Sequence, residues 1–126
     1  MKNIILTESA PAPIGPYSQG IEVNGTYYFS GQIAIDPAVG KITATDIENQ
    51  TRQILKNISA LLSKANLKAT DVVKTTVFIT NIKDFGKVNA IYGEFFNTNP
   101  PARSCVEVSN LPAGALVEIE IIAVKD

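Results

Sequence analysis

Val72-Val73-Lys74-Thr75-Thr76-Val77-Phe78-Ile79-Thr80 is dense in β-branched side chains, which sit well on a pleated surface and predict a strand. Alternation places Val73, Thr75, Val77 and Ile79 on one of its faces. Both neighbouring segments have helical periodicity. Upstream, Thr45-Asp46-Ile47-Glu48 reads as a capping box, in which side chains satisfy the orphan amides of a helix start. Ile47, Ile54, Leu55, Ile58, Leu61, Leu62 and Ala65 then recur at helical intervals, while Glu48, Gln53, Lys56 and Lys64 fall mainly elsewhere. Downstream, a second helix is expected from about Asp84, with Phe85, Val88, Tyr92, Phe95 and Phe96 at the same spacing. Asn99-Pro100-Pro101 ends it by removing backbone donors. A strand between two one-sided helices implies a sheet with helices laid on it.

Further out, Ile21-Glu22-Val23 and Thr26 to Ile35 flank Asn24-Gly25, a dipeptide suited to a two-residue type I′ hairpin. Asp36-Pro37 and Gly40 mark a turn. Two closing strands, about Ala102 to Val108 and Leu116 to Val124, bracket Asn110-Leu111-Pro112-Ala113-Gly114. The expected fold is α+β: one two-layer domain over residues 1–126, a mixed sheet with both helices on one face. Period-2 alternation separates Ser104, Val106 and Val108 from Arg103, Cys105 and Glu107, and Val117, Ile119, Ile121 and Ala123 from Leu116, Glu118, Glu120 and Ile122. The mixed set, Arg103, Cys105 and Glu107 with Leu116, Glu118, Glu120 and Ile122, is expected to form an open face. That face is too apolar for a solvated surface and too charged for a closed core, so partner subunits are its expected cover.

Composition narrows the chemistry. With 126 residues, 45% hydrophobic and 18% charged, and a net charge of −1, the chain has an ordinary globular makeup. It has no long-range field to draw it to nucleic acid or anionic lipid. Neither partner is expected. The N-terminal apolar run is too short for a signal sequence, and one cysteine, Cys105, suits a reducing compartment. The expected location is the cytoplasm. The chain contains no histidine, so Ser-His-Asp and Cys-His catalysis are excluded, as is a closed zinc site of the usual ligands. No Gly-rich phosphate loop occurs. No metal or cofactor is expected, and the chemistry must rest on carboxylates, arginine, hydroxyls, backbone groups and water.

Among these groups, Arg103 can present a planar fork matched to a ligand carboxylate. Spacing alone favours instead a cross-strand ion pair with Glu107, Glu118 or Glu120. Cys105 reads as a small core hydrophobe, since no base is present to form its thiolate. Glu118 by itself reads as a surface strand acid, Tyr17 as an aromatic lid over the core, and Ser30-Gly31 as a strand residue beside a bulge.

Pro101-Ala102-Arg103-Ser104-Cys105-Val106-Glu107-Val108, followed by Leu111-Pro112 and Val117-Glu118-Ile119, resembles the C-terminal signature of the Rid/YjgF family, RidA branch. Ile14-Gly15-Pro16-Tyr17-Ser18-Gln19, Ser30-Gly31-Gln32, Lys74 to Ile79 and Val88-Asn89 are similar to other parts of that family, so the likeness covers almost the whole chain. The segment Asn97-Thr98-Asn99-Pro100 is shorter than in many relatives and lacks their aromatic residue. The resemblance implies a chorismate-mutase-like fold, a homotrimer with sites in the clefts between subunits, and hydrolysis of 2-iminopropanoate and 2-iminobutanoate to 2-keto acids and ammonia. It further implies that Arg103 binds the substrate carboxylate, Glu118 orients the attacking water and the backbone of Cys105 contacts the imine region. Tyr17, Ser30, Gly31 and Asn89 are implied to line the pocket. The alternatives that the sequence leaves open are a non-catalytic trimeric sensor of 2-keto or 2-imino acids, an RNA-binding or RNA-cleaving protein, and a chaperone-like one.

Overall fold

Asn24 and Gly25 both adopt positive φ, 49° and 83°, the conformation a two-residue type I′ turn requires. They join β2 (Gly20–Val23) to β3 (Thr26–Gln32), with Val23 opposite Thr26. The computed structural model describes residues 1–125. A short strand that the sequence did not announce, β1 (Asn3–Ile5), lies along β2. Beyond β3, Ile35 does not continue the strand. It begins a small separate hairpin of β4 (Ile35–Asp36) and β5 (Lys41–Ile42), turned by Gly40 at φ 85°.

Helix α1 (Ile47–Lys64) starts one residue later than expected. Asp46 is its N-cap, accepting a hydrogen bond from the Asn49 amide at 2.9 Å and another from the Asn49 side chain. Thr45 and Glu48 form no capping box: Asp46 is equally able to cap, and its partner three residues on is Asn49. The predicted stripe is buried, with Ile54, Ile58 and Leu61 at 1% exposure or less. Polar α1 residues also enter the core and tie it to its surroundings. Asn57 donates to the Ile35 carbonyl at 2.8 Å, and Gln50 bonds both the Ala44 carbonyl and the Leu116 amide. Among the described residues, no buried side-chain polar atom lacks a partner.

Strand β6 (Val72–Ile79) leads into α2 (Phe85–Phe95), then β7 (Ala102–Glu107) and β8 (Val117–Val124). The six-stranded sheet has the order β1-β2-β3-β8-β6-β7, antiparallel throughout except for β6 and β7. The α+β class, with a mixed sheet and two packed helices, is as expected. Strand β8 sits between β3 and β6 and supplies Val117, Ile119, Ile121 and Ala123 to the core, all nearly inaccessible. Thr75, Val77 and Ile79 face the same way. Val73 does not: an irregularity between Val72 and Lys74 shifts the alternation, burying Val72 and leaving Val73 exposed. No helix among the described residues is long and apolar enough to cross a membrane.

The register overturns one expectation about faces. Arg103, Cys105 and Glu107 pair with Thr75, Val77 and Ile79, so these β7 side chains lie on the helix-covered side. The open side carries Ser104 and Val106, in line with Thr76 and Phe78 of β6 and with Glu120 and Glu118 of β8. An apolar residue signals the core only where something covers it. Strand β7 is the sheet edge, and Val106 is 42% exposed there.

Candidate active site

A β-bulge builds one candidate cleft. Phe29 pairs with Ile121 and Gln32 with Ile119, so β3 advances three residues while β8 advances two. The extra residue falls at Ser30-Gly31, as the sequence suggested, and re-aims the strand locally. Ser30 is held by its hydroxyl, donating to the Ser18 carbonyl at 2.6 Å, and by its amide, donating to the Gln19 carbonyl at 2.9 Å. Gly31 leaves room for the Glu118 carboxyl group, since a Cβ at position 31 would stand 2.9 Å from Glu118 Cδ. Tyr17, Ser30, Gly31 and Glu118 line one cleft of about 350 Å³, together with Ile14, Gln32 and Pro112. Tyr17 is a half-exposed wall of this cleft, its hydroxyl accepting from the Ile14 amide at 3.3 Å, and not a lid over the core.

Glu118 lies among these walls with Glu120 two residues along the same face. Burial first, and then the like charge of Glu120, hold its carboxyl above the ordinary value of 4.5. Gln19, whose role the sequence did not reveal, fixes the loop that forms the rim. It is 2% exposed; its side-chain oxygen accepts from the Thr7 amide at 2.7 Å, and its nitrogen donates to the carbonyls of Thr7, Ala10 and Pro11.

A second candidate cleft lies where α2 meets β7. Arg103 Nη1 donates to Asn89 Oδ1 at 2.8 Å, in a cleft of about 390 Å³ that also contains Tyr92, Phe96, Pro100 and Pro101. None of the ion pairs considered for Arg103 forms. Glu107 instead accepts from the Ile82 amide at 2.8 Å, and Glu118 and Glu120 project from the opposite face of the sheet. The only ion pair among the described residues is Arg52–Glu94, exposed and 3.4 Å long. Cys105 packs partly against the core, and burial pushes its thiol up despite the opposing effect of Arg103. That keeps the sulfur protonated and unsuited to nucleophilic attack.

The Cys105 backbone is placed differently. The Val108 amide donates to the Ile79 carbonyl, and backbone groups alternate in direction along a strand. Cys105 therefore turns its N–H and C=O toward the unpaired edge of the sheet. Arg103 and Asn89 thus meet in one cleft, Tyr17, Ser30, Gly31 and Glu118 in another, and the sheet separates the two within a protomer. A further concavity, about 590 Å³ between α1 and α2, contains none of these residues.

No cluster of three metal-ligating side chains occurs among the described residues. The Arg103 cleft can hold a carboxylate on a guanidinium, and the Glu118 cleft a water on a carboxylate: the equipment of small-molecule hydrolytic or ligand-binding clefts on an α+β domain. The family model described as Endoribonuclease L-PSP matches residues 7–125. A 2-iminobutanoate/2-iminopropanoate deaminase of Salmonella typhimurium is 49% identical over 128 residues, covering 99% of both chains. The solved structure of a Rid-family protein from Yersinia pestis superposes with a TM-score of 0.96 at 55% identity, over 99% of this chain and 100% of that one. Escherichia coli TdcF with bound serine gives 0.94 at 42% identity, over 98% and 99%. The chain belongs to the Rid/YjgF/RutC family.

Proposed function

We propose that this protein hydrolyses 2-imino acids such as 2-iminopropanoate and 2-iminobutanoate to the 2-keto acid and ammonia. The sites are formed between subunits of a chorismate-mutase-like homotrimer, each chain contributing a single Rid-type domain over residues 1–126. The carrying observation is the division of the site. Arg103 with Asn89, and Glu118 with Tyr17, Ser30 and Gly31, occupy separate clefts on opposite sides of one sheet. A second copy placing its Arg103 edge against the Glu118 cleft would unite them, and it would cover the open face on which Tyr28 and Val106 are exposed. The Salmonella relative supports the choice of reaction.

In this reading Arg103 takes the substrate carboxylate as a bidentate partner, which orients the imine carbon. The outward Cys105 backbone lies beside that carbon. Glu118 holds a water and accepts its proton as oxygen bonds to the carbon. The proton then passes to the nitrogen; the C–N bond breaks and ammonia leaves as the hydroxyl gives its remaining proton to Glu118 and the C=O forms. A carboxyl held above its ordinary value is suited to taking and returning a proton. A protonated imine is already electrophilic, so the barrier reduction required is modest. The substrate carries its own electrophile, and the reaction as written requires neither metal nor cofactor. The proposed location is the cytoplasm, with no nucleic acid or membrane as partner.

The test couples purified protein to a dehydratase that releases the enamine, and follows ammonia and keto acid. Wild type should accelerate hydrolysis, Arg103→Ala should lose rate for imines of every side chain, and Glu118→Gln should lose rate with binding retained. No acceleration by wild type would overturn the deaminase reading. Full rate in Glu118→Gln would overturn the role of that residue.

A further inference from the structure

Phe85, Asn89 and Tyr92 stand four and three residues apart on α2, the spacing that aligns side chains on one helix face. All three meet Arg103. Asn89 Oδ1 accepts from Nη1 at 2.8 Å, and the guanidinium carbon lies 4.7 Å from the Tyr92 ring centroid and 5.2 Å from that of Phe85. The hydrogen bond fixes rotation within the guanidinium plane, and the rings restrict its tilt. Asn89 takes one of five guanidinium donors, so the fork remains open to a ligand.

Tyr92 is itself held. It is 5% exposed, and its hydroxyl shares a 2.7 Å hydrogen bond with the hydroxyl of Thr75, which is wholly buried. Burial raises the Tyr92 phenol above its ordinary 10.0, so the hydroxyl stays protonated and the bond intact. Thr75 is also the register partner of Arg103 across β6 and β7. The strand pair that carries the arginine therefore carries the group that locks the ring beneath it. Apolar side chains of similar shape, phenylalanine and valine, would fill the same space. What the hydroxyl pair adds is a fixed ring position, because a buried donor and acceptor must stay in register to remain satisfied.

We propose that Tyr92 and Thr75 are positioning residues for Arg103. They hold the guanidinium in the orientation in which it takes the carboxylate of a 2-imino or 2-keto acid, and so set affinity without touching the ligand. The inference rests on the reading of Arg103 as carboxylate ligand.

The experiment places Tyr92→Leu, and the double substitution Tyr92→Phe with Thr75→Val, in the wild-type and the Arg103→Ala chain. Readouts are KM and kcat for 2-iminobutanoate, inhibition by 2-oxobutanoate, and thermal midpoint. In the wild-type background Tyr92→Leu should raise KM and the inhibition constant together by about 3- to 30-fold, with kcat changed less than about threefold. The double variant, which deletes both hydroxyls and leaves no orphan, should keep the thermal midpoint and still raise KM by about 2- to 5-fold. In the Arg103→Ala background neither change should lower kcat/KM further. An unchanged KM in the double variant, or an equal fractional loss in both backgrounds, overturns the inference. Wild-type KM in Arg103→Ala would instead overturn the carboxylate assignment beneath it.

Discussion

Gly31 and Glu118 are a pair in which one residue exists to make space for the other. The Glu118 carboxyl group occupies the volume a side chain at position 31 would need. Gly31→Ala should displace that carboxylate, lowering the imine hydrolysis rate by roughly 100-fold, the scale of an ångström-sized misplacement. A coupled rate assay and a thermal melt would separate this from simple unfolding, since the atom displaced is the end of a side chain. Glu118 also links function to stability. Its pKa is raised in the folded state, so folding favours the neutral form: that contribution is complete below the ordinary 4.5 and is lost as pH rises through the folded value. Glu118→Gln should therefore raise the thermal midpoint at pH 7, and the gap over wild type should close as pH falls through the folded value and be gone below about 4.5. A gap independent of pH would show that ionisation is not its source.

The elements differ in how legible they were, and the differences have physical causes. Helices α1 and α2 were readable because each has one buried stripe, and a one-sided stripe has a period. The bulge at Ser30-Gly31 was readable from its glycine. Strand β1 was not, because Asn3-Ile4-Ile5 is too short to display an alternation and takes its structure from β2. The face of Val73 was lost at an irregularity that breaks the period, and the face of β7 because an edge strand has cover on one side only. The rim loop before β2 has no periodicity, and one side chain organises it. Gln19→Leu would strand the Thr7 amide and the carbonyls that Gln19 serves. It should cost about 2 to 3 kcal/mol in chemical denaturation and raise KM through the loosened Tyr17 wall. An unaltered denaturation midpoint would show that water replaces the amide without penalty.

At the scale of the whole molecule, the sheet between Arg103 and Glu118 makes a strong demand. If each site takes Arg103 from one subunit and Glu118 from the next, Arg103→Ala and Glu118→Gln chains are both inactive alone but complement each other. Any mixed trimer then has one intact site among three, and a random equimolar mixture should recover about one quarter of wild-type activity. Subunits mixed under denaturing conditions, refolded and assayed would show this. If the mixture is as inactive as its components, the sites do not form between subunits.

The sequence by itself determined the α+β class, both helices, the Asn24-Gly25 hairpin and the chemistry excluded by the lack of histidine. These depend on local periodicity, local turn geometry and composition, which a linear chain displays in full. It also contained the residues of the candidate site, through their match to a family pattern. Only the tertiary structure decided how those residues are grouped. The parallel register of β6 and β7 puts Arg103 beside Thr75, under α2, while the antiparallel register of β8 turns Glu118 to the other side. Which side of a sheet is covered is set by partners distant in the chain, so alternation can say which residues share a face but not what that face meets.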